Sequence, residues 1–531
     1  MRPKILKMAS TIGCLMLPIT GAATAQTATQ SDALHVLNRL AFGPRPGDIE
    51  RVMKMGIDSY IDQQLHPETI PMPPVLNERL AELSKGEMSQ ADLITIYRKV
   101  IKAAMEDGTG GAPGGGLAIR NALYKKMAVH FGELRLMPAI ESPRQLEEVM
   151  VDFWFNHFNI VAGKGLDHVL IADYERNAIR PHAMGRFRDL LGATAKHPAM
   201  LFYLDNWLST SSTATAGVPG TRKTVAGLNE NYARELMELH TLGVDGGYTQ
   251  ADVTMLARML TGWSFDPRRA ENGDSFHFFG RLHDYGQKVW LGKTVPVRGL
   301  AEGEWALDVL ASSQATAGHV SYKLAQYFVA DDPSPELVDL LAQRFLATDG
   351  DIRAVLETLF KSPEFRAATS FGQKFKTPYH YVLSVVRAAG VDVTNVRPLM
   401  AAMNRMGMPL YGCQSPDGYK NTEDVWLNPD ALAQRISFVS GVSLGRSPLT
   451  AVVDDTVDND PYAGDASGNS APTDIARQSV ASTETPPLDG SAVLATVGDQ
   501  ISAQTRAKIA ALGPSPYRAA QVLGSPDFMW R

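Results

Sequence analysis

Apolar residues recur every three or four positions along most of the chain, which is the spacing of one face of an α-helix. Between residues 31 and 66 this pattern comes in short runs separated by turn residues, and after residue 301 it resumes. Thr249 with Asp252, and Ser362 with Pro363, are typical helix start signals. The pattern predicts a mainly α-helical, multi-helix globular protein.

The period of the pattern changes near residues 263–295. Residues 275–279 alternate between polar and aromatic side chains, and a second short apolar stretch follows at 289–291. Alternation is typical of a β-strand, so we predict that the two stretches pair as a small β-ribbon. Its loop carries His283 and Asp284, which point to opposite sides if the backbone is extended. The composition therefore favours a turn closed by the Asp284 side chain over a catalytic pair.

The densest group of polar residues lies in the helical run 228–242. At 100° per residue, one face of this helix is polar and the other is apolar and ends in His240. The polar face consists of Asn231, Arg234, Glu235 and Glu238. A solvated face cross-linked by ion pairs and a functional surface both account for this composition. Glu235 and His240 lie about 140° apart, so they cannot easily hold one ion on a straight helix.

A second helix with candidate chemistry is predicted over 143–158, with Ser142 as its cap. Its apolar positions, Leu146, Val149, Met150 and Phe153, fall on one face. His157 continues that row, so we expect its side chain to point inward. Two interpretations stay open: a core histidine bonded to a carbonyl group, or a metal ligand or general base.

The first 25 residues have the form of an export signal. Basic residues at positions 2, 4 and 7 precede a mostly apolar run, and Ala23-Thr24-Ala25 has the small-x-small form of a cleavage site. We therefore expect export to the periplasm or beyond. No later run of about 18 apolar residues follows, so we expect no transmembrane segment in the mature chain. Cys413 is then its single cysteine, which excludes a disulfide framework and cysteine-based zinc or haem motifs.

Composition divides the remaining chain into three parts. We predict a main helical domain over 26–447, built as one or two subdomains. The stretch 448–495 is rich in Asp, Ser, Thr and Pro and poor in core formers, which predicts a disordered acidic linker. Residues 496–531 return to a helical pattern, and we expect them to dock on the main domain. The net charge of −6 excludes the basic footprint that a nucleic-acid partner requires.

Several long motifs, in order, resemble a large bacterial family filed as "domain of unknown function 1800". They are LNRLAFGP (37–44), FWFNHF (153–158), YERNAIRPH (174–182), HPAMLFYLDN (197–206), the segment 227–243, His283 with Asp284, and QSPDGY (414–419). The resemblance covers 31–531 apart from the acidic stretch. It implies a predominantly helical fold and frequent export. The family has no settled activity, so the resemblance supplies no catalytic residues.

The polar motifs suggest one site, since helices over 143–158, 172–191 and 228–242 are expected to converge. The preferred hypothesis is an exported hydrolase, metal-dependent or acid/base, acting on an envelope or extracellular polymer. The predicted catalytic residues are His157, Arg234, Glu235 and Glu238; the predicted ligands of a divalent metal ion are His157, Glu235, Glu238, His240 and Asp284. The alternative is a non-catalytic envelope structural or binding protein whose buried polar network is architectural.

Overall fold

The computed structural model describes residues 29–85, 87–107, 115–212, 214, 227–270, 274–450, 486–513 and 515–531. The described residues are 64% helical and add only two small antiparallel sheets. The predicted mainly α fold is therefore confirmed. No helix within these ranges is long and apolar enough to cross a membrane. The predicted signal peptide at 1–25 and most of the predicted linker lie outside the described residues.

The first half of the chain contains helices α1 to α12. They are α1 (Gln30–Leu40), α2 (Asp48–Met55), α3 (Ile57–Leu65), α4 (Pro74–Ser84), α5 (Gln90–Asp107), α6 (Gly115–Glu141), α7 (Gln145–His157), α8 (Asp167–Tyr174), α9 (Phe187–Lys196), α10 (Pro198–Tyr203), α11 (Asn231–Glu238) and α12 (Gln250–Met259). The predicted capping box is confirmed, because Thr249 and Asp252 exchange hydrogen bonds at the start of α12.

The predicted start of α7 is wrong. Ser142 is not its cap, since the helix begins at Gln145 and the Ser142 hydroxyl accepts the Arg144 N–H at 3.0 Å. The Gln145 side chain explains the shift. Its amide donates to the carbonyls of Ala139 and Ser142, which ties α7 to the end of α6 through a tight connection.

In each of the two sheets, the paired strands are consecutive in the sequence. Strand β1 (Trp263–Phe265) pairs with β2 (Phe276–Phe278), and β3 (Val289–Trp290) pairs with β4 (Lys293–Thr294). The predicted pairing of 275–279 with 289–291 is therefore wrong. Positive φ angles at Leu291 (49°) and Gly292 (72°) form a two-residue turn that closes β3 on β4.

The second half of the chain contains helices α13 to α24. They are α13 (Leu300–Ala311), α14 (Gln314–Phe328), α15 (Pro335–Ala347), α16 (Ile352–Lys361), α17 (Pro363–Arg366), α18 (Pro378–Ala389), α19 (Arg397–Arg405), α20 (Glu423–Trp426), α21 (Pro429–Ser443), α22 (Gly490–Val497), α23 (Ala503–Ala511) and α24 (Arg518–Leu523). The predicted start of α17 is confirmed by the Ser362 cap. Helix α22 begins before the predicted end of the linker at residue 495.

Helix α7 lies in the core and positions the candidate site. Its predicted apolar face is completely enclosed, with Leu146, Val149 and Met150 at 0% exposure. Its last residue, His157, is also buried and contacts both the end of α11 and α14. The chain end packs nearby, since the Arg531 N–H donates to the Lys374 carbonyl at 2.8 Å.

Candidate functional site

A cleft of about 300 Å³ opens where the end of α7, one face of α14 and the loop 408–422 meet. Its titratable lining residues come from all three segments and from α18. They are Asp152, His157, His319, Tyr322, Lys323, Tyr327, His380, Asp417, Tyr419 and Lys420. The volume is at the lower end of the range of small-ligand sites.

Asn156 fixes the loop 408–422 against α7. Its side-chain amide donates to the Tyr419 carbonyl at 2.8 Å, and its oxygen accepts the Tyr419 N–H at 2.7 Å. Gly418, with φ of +72°, allows this approach, since a Cβ there would lie 2.2 Å from the Asn156 carbonyl oxygen. The loop is therefore held in one position, which makes the cleft a preformed site.

His157 lies in the wall of the cleft and is 2% exposed, as its place in the apolar row predicts. Its Nε2–H donates to the His240 carbonyl at 3.1 Å, so Nδ1 carries the lone pair, and Nδ1 has no partner among the described residues. Burial, then the nearby Lys323 charge, holds its pKa well below the usual range. His157 is therefore neutral at pH 7 and presents a hydrogen-bond acceptor.

Two further histidines surround His157. The rings of His240 and His319 each lie 6.2 Å from it, centroid to centroid. Burial lowers the pKa of His240 to about 3 and that of His319 to about 4. In the part of the chain that the structure describes, no group of three or more His, Cys, Asp or Glu side chains is placed to hold a metal ion.

Lys323 enters the cleft from α14, one turn after His319. Its side chain is half-buried, and none of the described residues gives it a hydrogen bond or an ion pair. Asp417, the nearest acid acting on it, is bound to Lys420 at 2.6 Å. Burial, then repulsion by Lys420, lowers the Lys323 pKa to about 8. The ammonium group is therefore a charge without a matched partner.

The polar face of α11 lies outside the cleft lining. Arg234, Glu235 and Glu238 are half-buried, and Arg234 pairs with Glu230 at 3.4 Å. Burial, then the charge of Glu238, raises the pKa of Glu235, and Asp417 adds to this effect. The charge of Asp417, which lines the cleft, therefore acts on Glu235. The Glu235 carboxyl group itself does not lie beside the three histidines.

Asp284 belongs to a separate cluster. Its carboxylate accepts two hydrogen bonds from Arg258, at 2.8 and 3.1 Å, and a third from the Gly286 N–H at 2.8 Å. The last bond closes the turn that the composition favoured. His283 points elsewhere, to Glu302 at 3.3 Å. The structure therefore does not bring Asp284 together with His157 and His240.

A comparison with models of protein families decides the relationship of the chain. The model described as "Protein of unknown function (DUF1800)" matches residues 35–530. The chain belongs to this DUF1800 family. No curated protein and no solved structure matches it. The match spans the whole cleft, and the family name assigns no reaction to it.

This DUF1800 chain also contains a buried ion network beneath the cleft. Arg135 contacts Asp152 at 2.7 Å and Glu175 at 2.5 Å, and all three side chains are nearly inaccessible to solvent. Arg180 binds both oxygens of Glu148, at 2.7 and 2.9 Å. Two arginines thus hold three carboxylates, and every one of these groups has an ion-pair partner, so the network acts as a framework. Asp152 lines the cleft, but its carboxylate is held by Arg135.

Of the titratable residues that line the DUF1800 cleft, sequence reasoning predicted only His157 as a site residue, and His319 and Lys323 are among those that it missed. A signal was present: they are the two basic residues of α14, four positions apart and therefore on one face. Most other residues of that helix are apolar or small. A basic pair on such a helix indicates a polar contact inside the fold.

Proposed function

We propose that the chain is an exported acid/base hydrolase and that the cleft is its active site. The observation that carries the proposal is the Lys323 ammonium, which enters the cleft beside histidine nitrogens and lacks a counter-ion among the described residues. Arg135 and Arg180 are matched by carboxylates, whereas the buried Lys376 ammonium lies 3.8 Å from the Phe528 ring and does not line the cleft. A charge left unmatched in a cavity is typical of a functional group.

Lys323 is suited to proton transfer. With a pKa of about 8, roughly nine-tenths of the molecules carry the proton at pH 7 and roughly a tenth present a free amine. General acids and bases work best when their pKa is near the working pH. The ammonium form donates a proton to the leaving group of the scissile bond, and the proton released by the attacking water restores it.

His157 has a positioning role in this proposal. Because its Nε2–H is bound to the His240 carbonyl, His157 ties the end of α7 to the end of α11 in the cleft wall, and its buried Nδ1 lone pair has no partner among the described residues. Its depressed pKa keeps the ring neutral, so this acceptor persists at acidic pH. Water that enters the cleft and the Lys323 acid on its wall supply both proton transfers of a hydrolysis.

The substrate class and the cellular location in this proposal are those inferred from the sequence. Export of the chain suits an envelope or extracellular polymer, and the cleft volume suits one unit of such a polymer rather than a long segment. We favour the acid/base version over the metal-dependent one because the suggested donors do not converge. Glu235 and Glu238 then contribute charge at the edge of the site, and Arg234 limits the effect of that charge on Glu235.

A non-catalytic envelope protein is the second candidate. The matched ion pairs of Arg135 and Arg180 favour it, because such networks fix the packing of helices without any reaction. The two candidates differ in what they require of Lys323. An architectural lysine is bound within the fold, whereas a reactive one is accessible and titrates near neutral pH.

Amine titration separates the two candidates. Acetic anhydride labelling followed by mass spectrometry gives a titration midpoint for each lysine. We expect a midpoint near 8 for Lys323, more than two pH units below the value of about 10.4 for exposed lysines. Lys420 and Asp417 are the charged groups facing it, and the neighbouring histidines are neutral throughout this range. A midpoint near 10 overturns the proposed role.

Activity is the second measurement. Wild-type protein, Lys323→Met and the surface control Lys361→Met are assayed on ester, amide and glycoside model substrates. We expect Lys323→Met to lose activity by about a hundredfold or more, as for removal of a general acid. The control should match the wild type. A Lys323→Met protein that keeps the wild-type rate refutes the assignment, and hydrolysis of none of the three classes favours the non-catalytic candidate.

A further inference from the structure

The cleft has more positive than negative charge that is free to act on a ligand. Its two acids are already occupied, Asp152 by Arg135 at 2.7 Å and Asp417 by Lys420 at 2.6 Å. Lys323 is left without a matching carboxylate among the described residues. The chain as a whole carries a net charge of −6, so this local excess is opposite in sign to the protein around it.

Buried cations behind the cleft wall increase the excess. His380 lines the cleft and contacts the Arg531 guanidinium, with Nε2 3.1 Å from Nη1. Asn421, another lining residue, accepts the Lys374 ammonium on its carbonyl at 2.9 Å. Lys374 also pairs with Asp331, whereas Arg531 is held by neutral groups, the Tyr327 carbonyl at 3.0 Å and the Tyr327 ring.

The guanidinium of Arg39 adds to this group. It is 0% exposed and bound to the carbonyls of Ser370 at 2.8 Å and Val329 at 3.4 Å. An arginine keeps its charge in almost any environment, and a charge in a poorly solvated interior acts over a longer distance than one at the surface. Burial, then the charges of Arg531, Lys376, Lys374 and Arg39, holds the pKa of the lining residue His380 well below its usual range, so these cations act on the inner end of the cleft. Asp331 offsets part of the charge of Arg39 and Arg531.

We infer that the substrate carries an oxyanion, a carboxylate or a phosphate group, which binds in the cleft against Lys323. This inference rests on the proposed function, since it assigns the substrate class of the same site. An anion there supplies the counter-charge that Lys323 lacks. The inner cations attract the anion. The surrounding histidines are neutral, so they do not neutralise its charge.

The inner end of the cleft determines how the anion is oriented. Lys323 and the wall formed by His380 both line the cleft, and Arg531 lies directly behind His380. An acidic group is attracted towards this end, which leaves the rest of the substrate directed to the open side. A neutral substrate of the same shape has no such preference. Acidic polymers are therefore preferred over neutral ones.

Isothermal titration calorimetry tests the inference without any turnover. Inorganic phosphate and acetate are titrated into the full-length protein at constant ionic strength, with chloride as the reference anion. We expect saturable binding of at least one of the two oxyanions, and the two arms decide between phosphate and carboxylate. Heats equal to those of chloride for both oxyanions overturn the inference.

Variants link the binding to the cleft. Lys323→Met should weaken the oxyanion affinity by about tenfold or more, which is typical for loss of a charged hydrogen-bond donor. Lys323→Arg keeps the charge and should stay within about threefold of wild type, and the surface control Lys361→Met should not change the affinity. Equal weakening in Lys323→Met and Lys361→Met means nonspecific attraction and also overturns the inference.

The outcome is independent of the reaction. A Lys323 titration midpoint near 10 with intact oxyanion binding refutes the proton-transfer role and leaves the binding site standing. A midpoint near 8 without oxyanion binding refutes the oxyanion site and leaves the proton-transfer role standing. The failure of the proposed function and the failure of the substrate class are therefore distinguishable.

Discussion

Replacing Lys323 by methionine should stabilise the protein while removing its proposed activity. Burial lowers the Lys323 pKa from 10.5 to about 8, so the folded state disfavours the charged form that the unfolded state carries freely. At 1.36 kcal/mol per pH unit, this fall corresponds to about 3 kcal/mol. Solvent in the cleft screens part of the charge, because the side chain is only half-buried. We expect Lys323→Met to gain about 1–3 kcal/mol at pH 7.

The stability that Lys323→Met gains over the wild type should decrease as the pH rises. Below pH 8 both states are protonated and the penalty on the wild type is complete. Between pH 8 and pH 10.5 the folded state releases its proton before the unfolded state does, so the wild type regains stability as pH rises. Above pH 10.5 the lysine is neutral in both states. The difference between the two proteins should therefore disappear across this interval.

Urea denaturation at pH 7, 9 and 10.5 measures the effect. The free energy of unfolding is extrapolated for the wild type, Lys323→Met and Lys361→Met. Lys361 is exposed and pairs with Glu357 at 2.5 Å across one helical turn, so its replacement should change stability by less than about 0.5 kcal/mol. A Lys323→Met protein that is less stable than wild type by the same amount at every pH refutes the reasoning, because the lysine then makes a net favourable contact.

Three further predictions concern the framework of the site. Gly418→Ala should lose about 1–3 kcal/mol in urea denaturation and the proposed activity, because its Cβ would displace the loop from Asn156; an unchanged unfolding midpoint contradicts this. Arg135→Met should lose about 3–5 kcal/mol by leaving the buried Asp152 without an ion pair and Glu175 with only the longer pair to Arg180 at 3.7 Å, against less than about 0.5 kcal/mol for the exposed Arg186→Met; equal losses would show that burial does not matter. Stability should fall as pH drops below about 6.5, because unfolded histidines then take up protons while native His240 and His319 stay neutral down to pKa values of about 3 and 4. Urea midpoints at pH 7 and 5 measure this, and His240→Gln should show a smaller fall.

Helical periodicity was sufficient for the local features of the site. It placed His157 and His240 on apolar faces, and both side chains are buried in the structure. Turn chemistry likewise indicated that the Asp284 side chain closes its own turn. These inferences succeed because each depends on residues within one or two helical turns. The wrong pairing of the strands has the same origin, since the turn at Leu291 required a positive φ that its residue type does not suggest.

The assembly of the cleft could not be predicted in the same way. Lys323 lies far along the chain from His157, and the two come together only when α14 packs across the end of α7. The partner of Asp284 is Arg258, on α12, and no spacing rule links them. Carboxylates and histidines that look equivalent in sequence are therefore separated by packing into matched pairs and unmatched groups.

The distinction between matched and unmatched charge is what selects the site. Most of the charged residues in the polar motifs have partners in the structure: Glu175 has Arg135, Glu148 has Arg180, and Asp284 has Arg258. A matched pair is satisfied within the fold and gains little from a ligand. Lys323 and the Nδ1 atom of His157 have no such partners among the described residues, and both belong to one cleft. A ligand that satisfies Lys323 gains binding energy that the folded chain alone does not use, and on this ground chemistry is expected in the cleft at the end of α7.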